Sequence, residues 1–163
     1  MSTLSFCLLF PFVLAIHNAD EYRDYDEFVR IYHGGLARRF ITRPVVRNAT
    51  ILLTSAGVIL GVLTWAYQSP VLVDASIIAS LALMLNAFCH IAVSLKECAL
   101  TPGTRSAVLL VLPYSLLLIR AARLPWVTLL RFTGLGLAVM PLAVIVFLLL
   151  GYLLLSLSGP RCA

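Results

Sequence analysis

Lysine is nearly missing from this chain: Lys96 stands alone beside eleven arginines, and only seven residues are acidic. Charged residues make up 12% of the sequence, about half the share of an ordinary soluble domain. That scarcity excludes a soluble enzyme with a solvated surface. The four cysteines (Cys7, Cys89, Cys98, Cys162) contain no CxxC pair and no zinc-ribbon spacing. No internal repeat is visible, which counts against the repeat-built carriers. The first apolar run lacks both a basic leader and a small-residue cleavage site, so a retained first helix is expected rather than a signal peptide. Six arginines lie between Arg23 and Arg47, but five acids lie between Asp20 and Glu27. The segment is mixed rather than polybasic, and no nucleic-acid partner is expected.

What is present is apolar. Hydrophobic residues make up 61% of the chain and the mean hydropathy is +1.01. In 163 residues there is room for about five spans of ~20 residues each. The expected fold is therefore all-α, a single polytopic membrane bundle. The hydropathy places spans at about 3–18, 48–67, 71–95, 104–123 and 132–157. Between the first two lies a cytoplasmic interfacial segment, 20–47, where Tyr22, Tyr25, Phe28, Val29 and Tyr32 recur at helical spacing. Such a stripe suits an amphipathic helix in the headgroup layer or a cap on the bundle. Pro141 predicts a kink in the fifth span, and Gly134 with Ala138 a close helix contact. A homo-oligomer through that span is one expected assembly.

Orientation follows from the basic residues. With the N-terminus outside and the C-terminus cytoplasmic, nine Lys and Arg residues face the cytoplasm and three (Arg120, Arg123, Arg131) face outward. A re-entrant fourth segment would bring those three inside as well, and the sequence leaves both arrangements open.

Two polar clusters interrupt the apolar runs. His17-Asn18-Ala19-Asp20-Glu21 follows the first run, and Asn86 through His90 lies within the third. Residues three or four apart share a helix face, so His17 aligns with Asp20 or Glu21, and His90 with Asn86. Both spans descend in the same direction, and a rise of ~1.5 Å per residue brings both histidines to nearly one depth in the inner leaflet. Ionisable groups in hydrocarbon are expensive and mark functional sites by default.

Imidazole and carboxylate are the common ligands of Zn²⁺ and similar divalent ions, and His17, His90, Asp20 and Glu21 are the candidate metal ligands. Glu21 and Asp20 are also the candidate catalytic groups, one binding and the other acting as base or support. Asn86 either orients His90, ligates weakly or holds substrate, and Arg47 is placed near the same mouth. Several functions fit these residues. The foremost is an intramembrane enzyme acting on a lipid or another apolar substrate, metal-dependent and hydrolase-like or an acid–base catalyst. The others are a proton or metal carrier or sensor, a haem protein with His17 and His90 as axial ligands, and a structural bundle held by a hydrogen-bond network. A divalent metal suits the acids beside His17 better than haem does.

Taken together, several strings resemble one known family, the small bacterial and archaeal membrane proteins named for an HXXEE motif. They are Phe10-Pro11, the His17–Glu21 cluster, Asn86 with His90, Thr101-Pro102-Gly103 and Leu112-Pro113-Tyr114. Asp20 stands where the motif has its first glutamate. The resemblance implies a polytopic helical protein with a polar intramembrane site and names no reaction.

Overall fold

A strand inside a bilayer needs partners on both edges, whereas a helix satisfies its own backbone, so a chain this apolar folds as helices. The computed structural model describes residues 2–27 and 40–157, and among these there is no strand. Five helices make up the bundle: α1 (Thr3–Arg23), α2 (Arg43–Tyr67), α3 (Pro70–Glu97), α4 (Thr104–Ala122) and α5 (Trp126–Leu157). All five are long and apolar enough to cross a membrane.

Local chemistry sets the helix ends. Ser2 caps α1 by accepting from the Ser5 amide at 3.2 Å, and Ser69 caps α3 by accepting from the Leu72 amide at 3.3 Å. Pro44 and Pro70 sit in the first turns of α2 and α3, where a missing N–H costs nothing. Gln68, Cys98 and Arg123 end their helices in the left-handed conformation. Three bounds extend well beyond the hydropathy estimate. α2 begins at Arg43 rather than near residue 48. α1 continues through the His17–Glu21 cluster to Arg23, and α5 begins at Trp126, running through Arg131. A flanking charge marks where hydropathy falls, not where backbone hydrogen bonding stops. After a turn at Asp24, residues 25–27 are helical, and the remainder of the expected interfacial helix lies outside the described residues.

The helices alternate in direction. Thr3 Oγ1 donates to the Ala121 carbonyl at 3.2 Å, so the end of α4 meets the start of α1. At the opposite end Ser106, in the first turn of α4, meets His17. α4 thus runs the full height of the bundle, which removes the re-entrant alternative. Phe6, Cys7, Phe10 and Leu14 of α1 pack with Ile77 and Leu81 of α3 and with Val111, Tyr114 and Leu118 of α4. Tyr114 satisfies its hydroxyl there with Ser80 Oγ at 2.9 Å and the Phe6 carbonyl at 3.0 Å. The outer surface is apolar: Trp65, Val71, Leu109, Trp126 and most large residues of α5 are exposed. An outside this apolar suits lipid and not water.

α5 lies against α2 and α3 through glycines other than the expected one. A Cβ on Gly151 would stand 2.6 Å from the Val45 carbonyl oxygen, and one on Gly136 3.0 Å from the Ala82 amide nitrogen. Gly134 faces open space. Within α4, Ala107–Val111 forms a π turn just before Leu112-Pro113. Proline cannot donate to the carbonyl four residues back and its ring crowds it, and a widened turn relieves both problems.

Candidate metal centre

α1 places His17 and Glu21 one turn apart on one face, and α3 does the same with Asn86 and His90. These faces meet. Glu21 Oε1 lies 2.5 Å from His90 Nε2 and 3.3 Å from His17 Nε2. The two imidazoles stand edge to face with centroids 5.3 Å apart. His17, Glu21 and His90 each offer a ligand atom, all within 4.8 Å of one another, a group that can hold a metal ion. Both histidines are buried, whereas the Glu21 side chain keeps 26% of its surface exposed. The two partly exposed members of the cluster are thus Glu21 and Asn86.

A third wall comes from the start of α4, which the sequence reading did not assign to the site. Ser106 Oγ lies 2.9 Å from His17 Nδ1 and donates to Asp20 Oδ2 at 2.9 Å, while the Ser106 amide donates to the same oxygen at 3.1 Å. With its own proton given to Asp20, the Ser106 oxygen accepts from His17 Nδ1–H. This fixes the tautomer that turns the Nε2 lone pair toward Glu21. Asp20 therefore lies outside the three-ligand group, pointing to the α4 N-terminus. Gly103 closes the roof at φ +77°, where a Cβ would stand 2.8 Å from Glu21 Cγ and 3.2 Å from the His90 ring. Behind it the hydroxyls of Ser94, Thr101 and Thr104 lie 2.6–2.8 Å from one another, and the two threonine hydroxyls lie 3.3 and 3.4 Å from the His90 carbonyl oxygen. They hold the last turns of α3 against the α3–α4 turn.

Asn86 joins the cluster directly. Its Nδ2 lies 3.0 Å from His17 Nε2, 3.2 Å from Glu21 Oε1 and 3.1 Å from His90 Nε2. With Asn86 and Glu21 between the imidazoles, no slot for a porphyrin plane is left, and the geometry disfavours the haem alternative. Arg47 lies apart from the ligands. It is exposed and lines a groove of about 330 Å³ between α1 and α2, together with Ala19, Tyr22, Thr50 and Thr54. Asn18 faces the same side, donating to Thr54 at 2.9 Å. His33 lies outside the described residues, and Asp74 is exposed.

The residues missed from sequence were Ser106 and Gly103. A serine in the first turn of a helix carries no periodic signal, and a Thr-Pro-Gly string reads as turn chemistry alone. The signal that was present is their adjacency: a polar Thr-Pro-Gly-Thr-Arg-Ser stretch between two apolar spans, entering at the depth of both histidines.

Comparison with curated proteins and with solved structures finds no match. The family model described as a protein of unknown function with HXXEE motif matches residues 8–118. That stretch runs from the second turn of α1 to the last turns of α4 and holds His17, Glu21, Asn86, His90, Gly103 and Ser106, leaving α5 outside. The chain belongs to the HXXEE-motif family, with His17 and Glu21 at the ends of the motif and Asp20 in place of its first glutamate.

Proposed function

We propose that this is an integral membrane protein whose His17, Glu21 and His90 bind a divalent transition-metal ion near the cytoplasmic leaflet. On this reading it is an intramembrane enzyme acting on a lipid or another apolar substrate. The observation that carries the reading is the convergence of three ligand atoms within 4.8 Å from two different helices, with both imidazoles buried and the Glu21 side chain partly exposed. Two imidazoles and one carboxylate are a typical catalytic zinc set.

Position supports an enzyme over a carrier. His17 lies six residues before the end of α1 and His90 six before Lys96, so the site sits ~9 Å from one face rather than at mid-depth. Carriers place their sites near the midplane between repeats, and this chain has no repeat. With the N-terminus outside, as the arginine balance favours, that face is the cytoplasmic one. A lipid ester or phosphoester bond would then lie level with the metal.

The metal would lower the pKa of a bound water and polarise the substrate's oxygen. His17, Glu21 and His90 would hold the ion, and the second carboxylate oxygen of Glu21 would take up a proton from an attacking water and hand it to the departing alkoxide as the ester bond breaks. Asp20 acts through Ser106 by holding His17 in the metal-binding tautomer.

The test is metal analysis of the detergent-purified protein beside Glu21→Gln and His90→Ala. Wild type should hold about one equivalent of Zn²⁺ or a similar ion after loading, and each variant far less. In nanodiscs of mixed phospholipid, mass spectrometry should show a lipid consumed by the loaded wild type only. A wild type that retains no metal after loading overturns the reading.

A further inference from the structure

Asn86 stands at the centre of the ligand cluster, with its Nδ2 within 3.2 Å of all three ligand atoms. An amide NH₂ has two hydrogens and cannot serve three acceptors. Without a metal the set still closes: His90 Nε2–H donates to Glu21, and Asn86 donates to His17 Nε2 and Glu21 Oε1. A cation at this point reverses the preference, because it repels the N–H dipoles and attracts the amide oxygen. The two ends of an amide have nearly the same shape, so the neighbours decide which one faces inward. Asn86 Oδ1 has no hydrogen-bond partner among the described residues, so turning the amide over sacrifices no bond at its other end.

Turned over, the amide places an oxygen where Nδ2 now stands. That point lies 3.0, 3.1 and 3.2 Å from the other three ligand atoms, which are themselves 2.5 and 3.3 Å apart across Glu21. Tetrahedral Zn²⁺ with bonds near 2.0–2.1 Å separates its ligand atoms by ~3.3–3.4 Å. Five of the six edges among these atoms therefore lie between 2.5 and 3.3 Å and the sixth, from imidazole to imidazole, within 4.8 Å, so a tetrahedral ion seats here when the two imidazoles close around it. We propose that Asn86 Oδ1 is the fourth ligand of the metal, completing a His₂–Glu–Asn site. This rests on the metal reading above and deepens it. A neutral amide is the weakest of the four ligands, and it holds the position that a water or a substrate oxygen takes.

Asn86→Ala and Asn86→Asp separate ligation from hydrogen bonding. The full chain in detergent is titrated with Co²⁺ and followed by visible absorption. Wild type should give the intense bands of four-coordinate Co²⁺. Asn86→Ala should bind about tenfold or more weakly, on the scale seen when a metal site loses supporting contacts. Asn86→Asp should match or exceed wild type, because it presents an oxygen at the same point. An amide acting only as an N–H donor predicts the reverse, since aspartate cannot donate and adds charge beside Glu21. Asn86→Asp binding as weakly as Asn86→Ala, or Asn86→Ala binding like wild type, overturns the proposal and leaves the three-ligand site standing. A wild type that binds no Co²⁺ overturns both. Should Asn86→Ala fail to fold, wild type against Asn86→Asp decides, a tenfold loss in the latter being the overturning result.

Discussion

Ser106 shows how a single hydroxyl connects two motifs that lie far apart in sequence. Its oxygen lies between His17 Nδ1 and Asp20 Oδ2 at 2.9 Å from each, so two side chains three residues apart on α1 are locked through a residue of α4. Removing it leaves a rotamer and a tautomer of His17 unset. Ser106→Ala and Asp20→Asn should each weaken metal binding about 10- to 100-fold, as loss of the partner behind a ligand does. Fold stability should fall by about 1–3 kcal/mol, the cost of leaving a buried polar group without its partner. Isothermal titration beside thermal unfolding checks both; a stability loss with unchanged affinity would make the pair structural. The convergence of these side chains was legible in the sequence, because His17 and Glu21, like Asn86 and His90, repeat at four residues in apolar surroundings. The assignment of Asp20 was not legible. Both carboxylates lie within one turn, and only the arrival of α4 separates the one facing Ser106 from the one facing His90.

The five spans could be found by hydropathy, but which faces they use could not. Gly134 with Ala138 and the pair Gly136/Gly151 look alike in sequence, since all are small residues in a leucine-rich run. The structure sorts them by what lies opposite: backbone of α2 and α3 for Gly151 and Gly136, open space for Gly134. Gly151→Val should therefore overpack the α2–α5 seam and cost at least about 1–3 kcal/mol, because rigid backbone cannot give way. Gly134→Val should leave the folded monomer unchanged. If copies associate through the outer face of α5, the Gly134 variant should dissociate them while keeping monomer stability. Denaturation in mixed micelles together with cross-linking reads the two effects separately. The π turn at Ala107–Val111 was equally hidden, although its cause, Pro113, is in plain view. Proline announces a disturbed helix without saying whether the backbone kinks, breaks or widens.

At the scale of the molecule, the bundle places its chemistry at one end. The ends of α1 and α3 and the start of α4 supply every residue of the site, while the opposite end carries the short α2–α3 hairpin and the α4–α5 break. On the proposed orientation the site end faces the cytoplasm, with Arg120, Arg123 and Arg131 on the other side. With α4 running the full height of the bundle, those three cannot be moved inside, so orientation rests on nine basic residues outweighing three. Two single-cysteine proteins test this. Cys98 is free and exposed just beyond the end of α3, and Ser69 lies in the hairpin at the far end. In intact cells an impermeant thiol reagent should label Ser69→Cys in a background lacking the four native cysteines. Cys98, kept as the sole cysteine, should react only after the membrane is opened. The reverse pattern would move the site to the outer leaflet while leaving its ligands together, because α1 and α3 run parallel in either orientation. A substrate would then have to be sought among outer-leaflet lipids, and the metal would be drawn from the outside medium rather than from the cytoplasm.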